Sequence, residues 1–208
     1  MTTTDRLPAV SWREPRDVTA VLDVPPAGVL LGADPGSAPV LLPALGPRPT
    51  RLGVVGDGRI AGLIAYRLLG AGGVLRIATG NPGRWRHLLG VAGNRASAGP
   101  STAGWSPRHA QDGTSVLVSD LPQPPDELAR DEGWSGTVVH IVRTVPVGGT
   151  YWAAVDAVVV TGPGHGDALA RLLGRDDARQ LDGLGADRIG LLDRHRVVAV
   201  TPVLAPGE

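Results

Sequence analysis

Apolar positions along the chain fall into short blocks parted by glycine and proline, and the blocks carry two different periods. Residues 28–45, GVLLGADPGSAPVLLPAL, place two apolar runs on either side of a PGS turn and predict a β-hairpin. Residues 52–55 form a short apolar strand. Ile60, Leu63, Ile64 and Leu68 follow at the spacing that lines one face of a helix, predicted over 59–69 and ended by Gly70, Gly72 and Gly73. A second apolar strand, 74–78, completes a strand–helix–strand unit, which requires a right-handed crossover and parallel strands. Further along, 84–89 predicts a short helix, 115–119 (SVLVS) a buried strand, and 126–132 a helical turn. Segments 137–145 and 153–161 read as strands, 167–173 and 176–184 as helices, and the end as a hairpin turning at 193–195. Residues 92–114 show no period and are rich in Gly, Ser, Pro and Ala, which predicts a long exposed loop. The sum is an α/β fold of Rossmann-like type: a mainly parallel sheet with flanking helices and added hairpins near both termini. A single domain is expected over 28–208, preceded by a polar segment, 1–27, interrupted by Pro8, Pro15, Pro25 and Pro26.

Composition narrows the chemistry. The chain of 208 residues lacks Phe and Cys, so its core is aliphatic, and disulfides, thiolate metal sites and a cysteine nucleophile are excluded. All 20 basic residues are Arg, balanced by 20 acids. The balance hides an asymmetry: 58–111 holds seven Arg and no acid, whereas 112–208 holds 14 acids against eight Arg. Such a basic block can face an anionic partner or fold onto the acidic half. No apolar run is long enough to span a membrane, and no signal-peptide core opens the chain, so a cytoplasmic protein is expected.

Gly56, Gly58 and Ala61 fit G-x-G-x-x-G/A between a strand and a helix. That pattern supplies a tight turn, close phosphate approach and close helix packing in dinucleotide-binding folds. Two features oppose it. The second strand ends in Thr79-Gly80-Asn81, where an acid would hold the ribose, and Asp57 sets a carboxylate in the turn itself. Gly56, Gly58, Ala61, Thr79 and Arg84 are therefore the nucleotide- or anion-binding candidates of an alternative reading. The other reading keeps the glycines for packing.

Other chemistry is sparse. The five His share no helix face, so no metal site is expected. The loop GPGHGD at 162–167 could cradle an anion but lacks the Lys-Ser/Thr of a P-loop, and Asp167 suits a helix N-cap. There is no G-x-S-x-G elbow, and adjacent acids such as Asp176 and Asp177 look like helix-end residues. No nucleic-acid module is present.

The run from residue 31 to 85, with its leading strand, its VVGDGRIAGLIAYRLLGAGG unit and its Asn81-Pro82-Gly83-Arg84-Trp85 motif, resembles the cytosolic domain of EccE, a component of actinobacterial type VII (ESX) secretion. AAVDAVVVTG and the closing ADRIGLLDRHRVVAVTPVLAPGE are similar to the family's later strands. The family carries two N-terminal transmembrane helices that this chain does not show. The resemblance implies a non-catalytic assembly or protein-interaction part without cofactor, peripheral to the inner face of the plasma membrane through a protein partner. Asn81, Arg84, Trp85, Arg86 and Trp105 are the residues expected to face that partner.

Overall fold

The computed structural model describes residues 28–46, 48–103, 105, 114–126 and 136–204. Ten strands form one sheet in the order β2-β1-β10-β9-β8-β3-β7-β6-β4-β5. Six of them run parallel: β3 (Thr50–Val55), β4 (Gly73–Ala78), β5 (Ala96–Gly99), β6 (Thr114–Ser119), β7 (Thr137–Val142) and β8 (Ala157–Thr161). Beyond β8 the direction alternates through β9 (Ile189–Asp193), β10 (Val197–Pro202), β1 (Gly28–Ala33) and β2 (Pro39–Pro43). Both terminal hairpins expected from the sequence are present. Strands covered on both faces are buried in nearly every position, as in β6 (TSVLVS), with an apolar centre, and β8 (AVVVT), because neither face meets water.

One face is covered by helix α1 (Gly58–Gly70) and helix α2 (Arg86–Ala92), and the inward side chains of the β1–β2 hairpin join the same core. There Ile64 and Leu68 pack with Val54, Ile77, Leu31 and Val40. The other face is covered by α3 (Thr150–Ala153), α4 (Gly166–Leu173) and a 3₁₀ segment at Asp176–Gly183, which bring Tyr151, Trp152, Leu169 and Leu181 onto Val55, Val158 and Val160.

The strand–helix–strand unit forms as the periodicity predicts, with β3 and β4 parallel. They are not neighbours, however: β7 and β6 lie between them. Two other expectations change. The stretch 92–114 is not a loop at its start, because 96–99 pairs with β4 as the edge strand β5; residues 106–113 lie outside the described residues, as does most of 126–132. The segment 153–161 begins as the end of α3, since the Asp126 carboxylate accepts the Tyr151 N–H at 2.7 Å and starts a helical turn there. Among the described residues no helix is long and apolar enough to cross a membrane.

Gly53 decides how the second face closes. A Cβ there would lie 2.3 Å from Cζ3 and 2.7 Å from Cη2 of Trp152, a ring that is fully buried and cannot move aside. Gly53→Ala is expected to lower stability by about 2–3 kcal/mol through overpacking. Gly62→Ala, in the middle of α1 with open space at its Cβ, is expected to raise it by up to ~1 kcal/mol. Urea unfolding midpoints with unchanged slopes check both.

Candidate functional site

Parallel strands in one sheet point their carboxyl ends the same way, and a crevice opens where neighbouring connections leave in opposite directions. Here the crevice, about 1280 Å³, lies past the ends of β3, β7 and β6. It is lined by the turn from Gly56 to Arg59, by Gly80, Asn81, Arg84 and Trp85, by Asp120 to Pro122, and by Ile141 to Thr144.

The turn between β3 and α1 has only two residues. Gly56 takes φ +106 and sits so close to Thr161 that a Cβ would lie 2.3 Å from its Oγ1. Its N–H donates to the Val142 carbonyl at 2.9 Å, and the Asp57 N–H donates to Thr161 Oγ1 at 2.5 Å. The turn is thus pinned between the ends of β7 and β8. Asp57 caps α1 by accepting the Arg59 N–H at 3.0 Å, and its other oxygen is 3.6 Å from Arg59 Nε. One N–H of the helix terminus is thus taken by the chain's own carboxylate.

Gly58 opens α1 and lies under Arg84: the guanidinium donates to the Gly58 carbonyl at 2.8 Å, and a Cβ on Gly58 would fall 1.6 Å from Nη2. The same guanidinium is 3.5 Å from Asp120 Oδ2, which also accepts the Trp85 indole N–H at 3.1 Å. Arg84 lies 5.4 Å from the centre of the Trp85 ring. One cation therefore ties the start of α1 to the end of β6 across the crevice, with Arg59 and Arg143 beside it.

Of the other sequence candidates, Ala61 is buried in α1 against the sheet and serves packing. Thr79 is buried at the end of β4, with its hydroxyl accepting the Asn81 N–H. Because β7 and β6 separate β4 from β3, Thr79 does not stand beside the glycine turn where a dinucleotide fold would hold a ribose. Asn81 lines the crevice, Arg86 is exposed at the start of α2, and Trp105 is half-buried against the second core. Trp85, expected to face a partner, is instead 2% exposed. The loop at 162–167 is not an open anion cradle: Asp182 accepts the Gly166 and Asp167 N–H groups, and His165, not Asp167, is the N-cap of α4.

Sequence reasoning missed Asp120. Its signal was available: a carboxylate directly after the apolar run SVLVS, at the end of a strand one removed from β3. P-loop NTPases carry an acidic residue at the end of an apolar strand near the phosphate site. It also missed His140, buried on β7 beneath the crevice. The Trp152 indole can only donate, so its 3.1 Å bond makes His140 Nδ1 an acceptor, and Nε2 carries the proton given to the Leu121 carbonyl at 3.0 Å. Burial holds the His140 pKa below its ordinary value, against the opposing pull of the Leu121 carbonyl and of Asp126 and Asp120.

No family model matches the sequence, and no curated protein matches it. Solved structures do share the fold. The genome packaging NTPase B204 from Sulfolobus turreted icosahedral virus 2, in complex with AMPPCP, superposes with a TM-score of 0.58 at 14% identity over 77% of this chain and 100% of that one. The cytoplasmic domain of the Thermomonospora curvata type VII secretion ATPase EccC gives 0.57 at 13%, over 86% of this chain and 29% of its own. The pCW3 conjugation coupling protein TcpA with ATPγS gives 0.53 at 12%, over 84% and 65%.

The α/β fold is thus one that these packaging, coupling and secretion proteins share, and the type VII secretion protein among them is the ATPase EccC; membership of the EccE family is not shown. This overturns the expectation of a non-catalytic assembly part that is no enzyme: B204 is an NTPase and EccC an ATPase, and B204 and TcpA are seen with ATP analogues. The nucleotide-binding alternative is the one the fold favours. The chain departs from the P-loop pattern in having two turn residues where G-x-x-x-x-G-K-[ST] has more, and in having no Lys at all.

A neutral His140 is required by its two bonds, while the unfolded chain takes up a proton near the ordinary value of 6.5. Below that pH the unfolded state binds more protons, so stability is expected to fall as pH drops from 6.5 toward the lower folded value. In thermal unfolding from about pH 8 to pH 5, His140→Gln should be less stable at neutral pH and show a shallower acid-side loss.

Proposed function

We propose that the crevice binds the phosphates of a nucleoside triphosphate, and that the chain is a nucleotide-binding domain of the NTPase type. The observation that carries this is the pairing across the crevice of a pinned glycine turn with the Arg84–Asp120 couple, at the carboxyl ends of the strands in this fold. Asp57 sets a carboxylate at the α1 terminus, so the phosphates are received on the side of Arg84, Arg59 and Arg143. Arg84 gives a planar, charged donor where a P-loop has its lysine. An incoming phosphate draws the guanidinium from Asp120, which leaves that carboxylate able to orient a water.

The reaction that these groups can support is transfer of the terminal phosphoryl group to water, giving a nucleoside diphosphate and inorganic phosphate. Arg84 would stabilise charge on the phosphoryl oxygens. Among the described residues no group of three or more His, Asp or Glu could by itself hold a metal. A magnesium ion carried in with the nucleotide needs only one or two protein carboxylates, and Asp120 fits that need. Such an ion supplies charge neutralisation of the phosphates.

The kind of system to which two structural neighbours belong supports a further part of the reading. The domain works within a multiprotein assembly of the secretion or conjugation kind, on the cytoplasmic side where nucleoside triphosphates are available. EccC and TcpA belong to such systems.

Titration calorimetry with AMPPCP and ATPγS tests the binding site. Saturable binding is expected, weakened by about tenfold or more in Arg84→Ala, the loss of one charge-assisted contact. Phosphate release from ATP should fall in Asp120→Asn while AMPPCP binding persists. The proposal is overturned if neither analogue at millimolar concentration gives binding heat or a thermal shift.

A further inference from the structure

Asp120 follows the last residue of β6, and its place in the crevice is fixed from the side of β4. Its N–H donates to the Ala78 carbonyl at 3.1 Å, which ties its backbone to the end of that strand. Its side chain is 11% exposed and lines the crevice. Two donors reach the carboxylate, and both reach the same oxygen, Oδ2: the Trp85 indole N–H at 3.1 Å and an Arg84 guanidinium nitrogen at 3.5 Å. Among the described residues Oδ1 accepts no hydrogen bond.

The two donors are neighbours in the chain and differ in kind. The 3₁₀ turn Pro82–Trp85, which leads into α2, delivers one to the surface and the other to the core. Arg84 has a side chain 35% exposed, rests on the Gly58 carbonyl, and carries the charge that an incoming phosphate attracts. Trp85 is 2% exposed and belongs to the aliphatic core of the first face, with Leu88 and Ala92 of α2. Close packing there prevents the ring from following a ligand. An indole donates and never accepts. With its N–H on Oδ2, it leaves Oδ1 as the oxygen open to the crevice.

We propose that Trp85 is a positioning residue: once a phosphate draws Arg84 away, the indole N–H keeps the Asp120 carboxylate in place, with Oδ1 presented to the attacking water or to a magnesium ion carried by the nucleotide. The inference rests on the nucleotide-binding reading and deepens it, because it names the group that holds Asp120 while Arg84 is engaged elsewhere. Trp85 touches neither nucleotide nor reacting atoms and acts only through Asp120. A carboxylate freed to turn would spend part of its time with neither oxygen aligned, which slows the chemical step without weakening nucleotide binding. A bond made only to satisfy a buried indole would leave turnover unchanged in a variant that folds.

The test measures ATP hydrolysis and AMPPCP binding, both with magnesium, for the full chain and for Trp85→Phe, Asp120→Asn and the double variant. Phe keeps an aromatic ring in the core and removes the N–H; thermal unfolding shows which variants fold. Trp85→Phe should lower kcat about tenfold, the loss of one bond to a charged group, while KM and AMPPCP affinity change by less than about twofold. In the Asp120→Asn background the same substitution should cost less than about twofold, because the group it acts through has been altered. Nitrogen–proton NMR spectra give a readout that needs no change at Trp85. Asp120→Asn should move one of the five indole signals, and in the unaltered chain that signal should stay in place and protected from solvent exchange when AMPPCP saturates. An unchanged kcat in folded Trp85→Phe, an equal loss in both backgrounds, or loss of the protected signal overturns the role of Trp85 and leaves the nucleotide reading standing. Binding without turnover also overturns it. Absence of AMPPCP binding to the unaltered chain overturns both. If Trp85→Phe does not fold, the indole signal decides.

Discussion

The bond between the Trp152 indole and His140, made across the bare backbone of Gly53, sets the geometry on which the crevice depends. Trp152 can lie on β3 only because that position has no side chain, and its N–H then fixes which nitrogen of His140 is bare. The other nitrogen holds the carbonyl of Leu121, one residue beyond Asp120. Tyr151 adds a second tie: its buried hydroxyl lies 2.9 Å from the carbonyls of both Leu52 and Val138, on the adjacent strands β3 and β7. A small polar network inside an aliphatic core thus locates the strand ends from which the site is built. Such networks specify one arrangement because any unpaired member in a low-dielectric interior is costly.

The chemistry of the site follows from strand order. In a dinucleotide fold the glycine turn and the end of the next strand in sequence stand side by side. Here two strands intervene, and the residues that confront the turn come from elsewhere in the chain: Asp120 from β6, Arg143 from just beyond β7, and Arg84 from the connection after β4. With lysine missing altogether, a guanidinium takes the central place. It is held by a backbone carbonyl, a carboxylate and the proximity of an indole ring, so its direction is defined before any anion arrives.

Elements with a strong local period were legible in the sequence. Helix α1 begins and ends within one residue of its prediction, and the two terminal hairpins follow their turn residues. What escaped depends on contacts between distant parts. The edge strand β5 is Ala-Ser-Ala-Gly, with no apolar alternation to mark it, and it exists because β4 offers a free edge. The start of the segment at 153–161 turns helical because Asp126, far away in sequence, caps it. Trp85 was expected to face a partner from the turn at 81–85, but its indole turns inward to Asp120, 35 residues on. The crevice glycines were visible as a pattern, whereas the acid facing them could be placed only once the order of strands was known.

The β1–β2 hairpin joins the sheet through β10, its neighbour from the other end of the described chain. On a ribosome the hairpin emerges before the other described strands, and the strand that completes its sheet emerges after them. Until then its apolar inner face, Val29, Leu31, Val40 and Leu42, lacks part of its cover, and the cooperative unit cannot close. Synthesis of this chain therefore runs ahead of its folding, and the hairpin is the part that most needs shielding from aggregation in the interval.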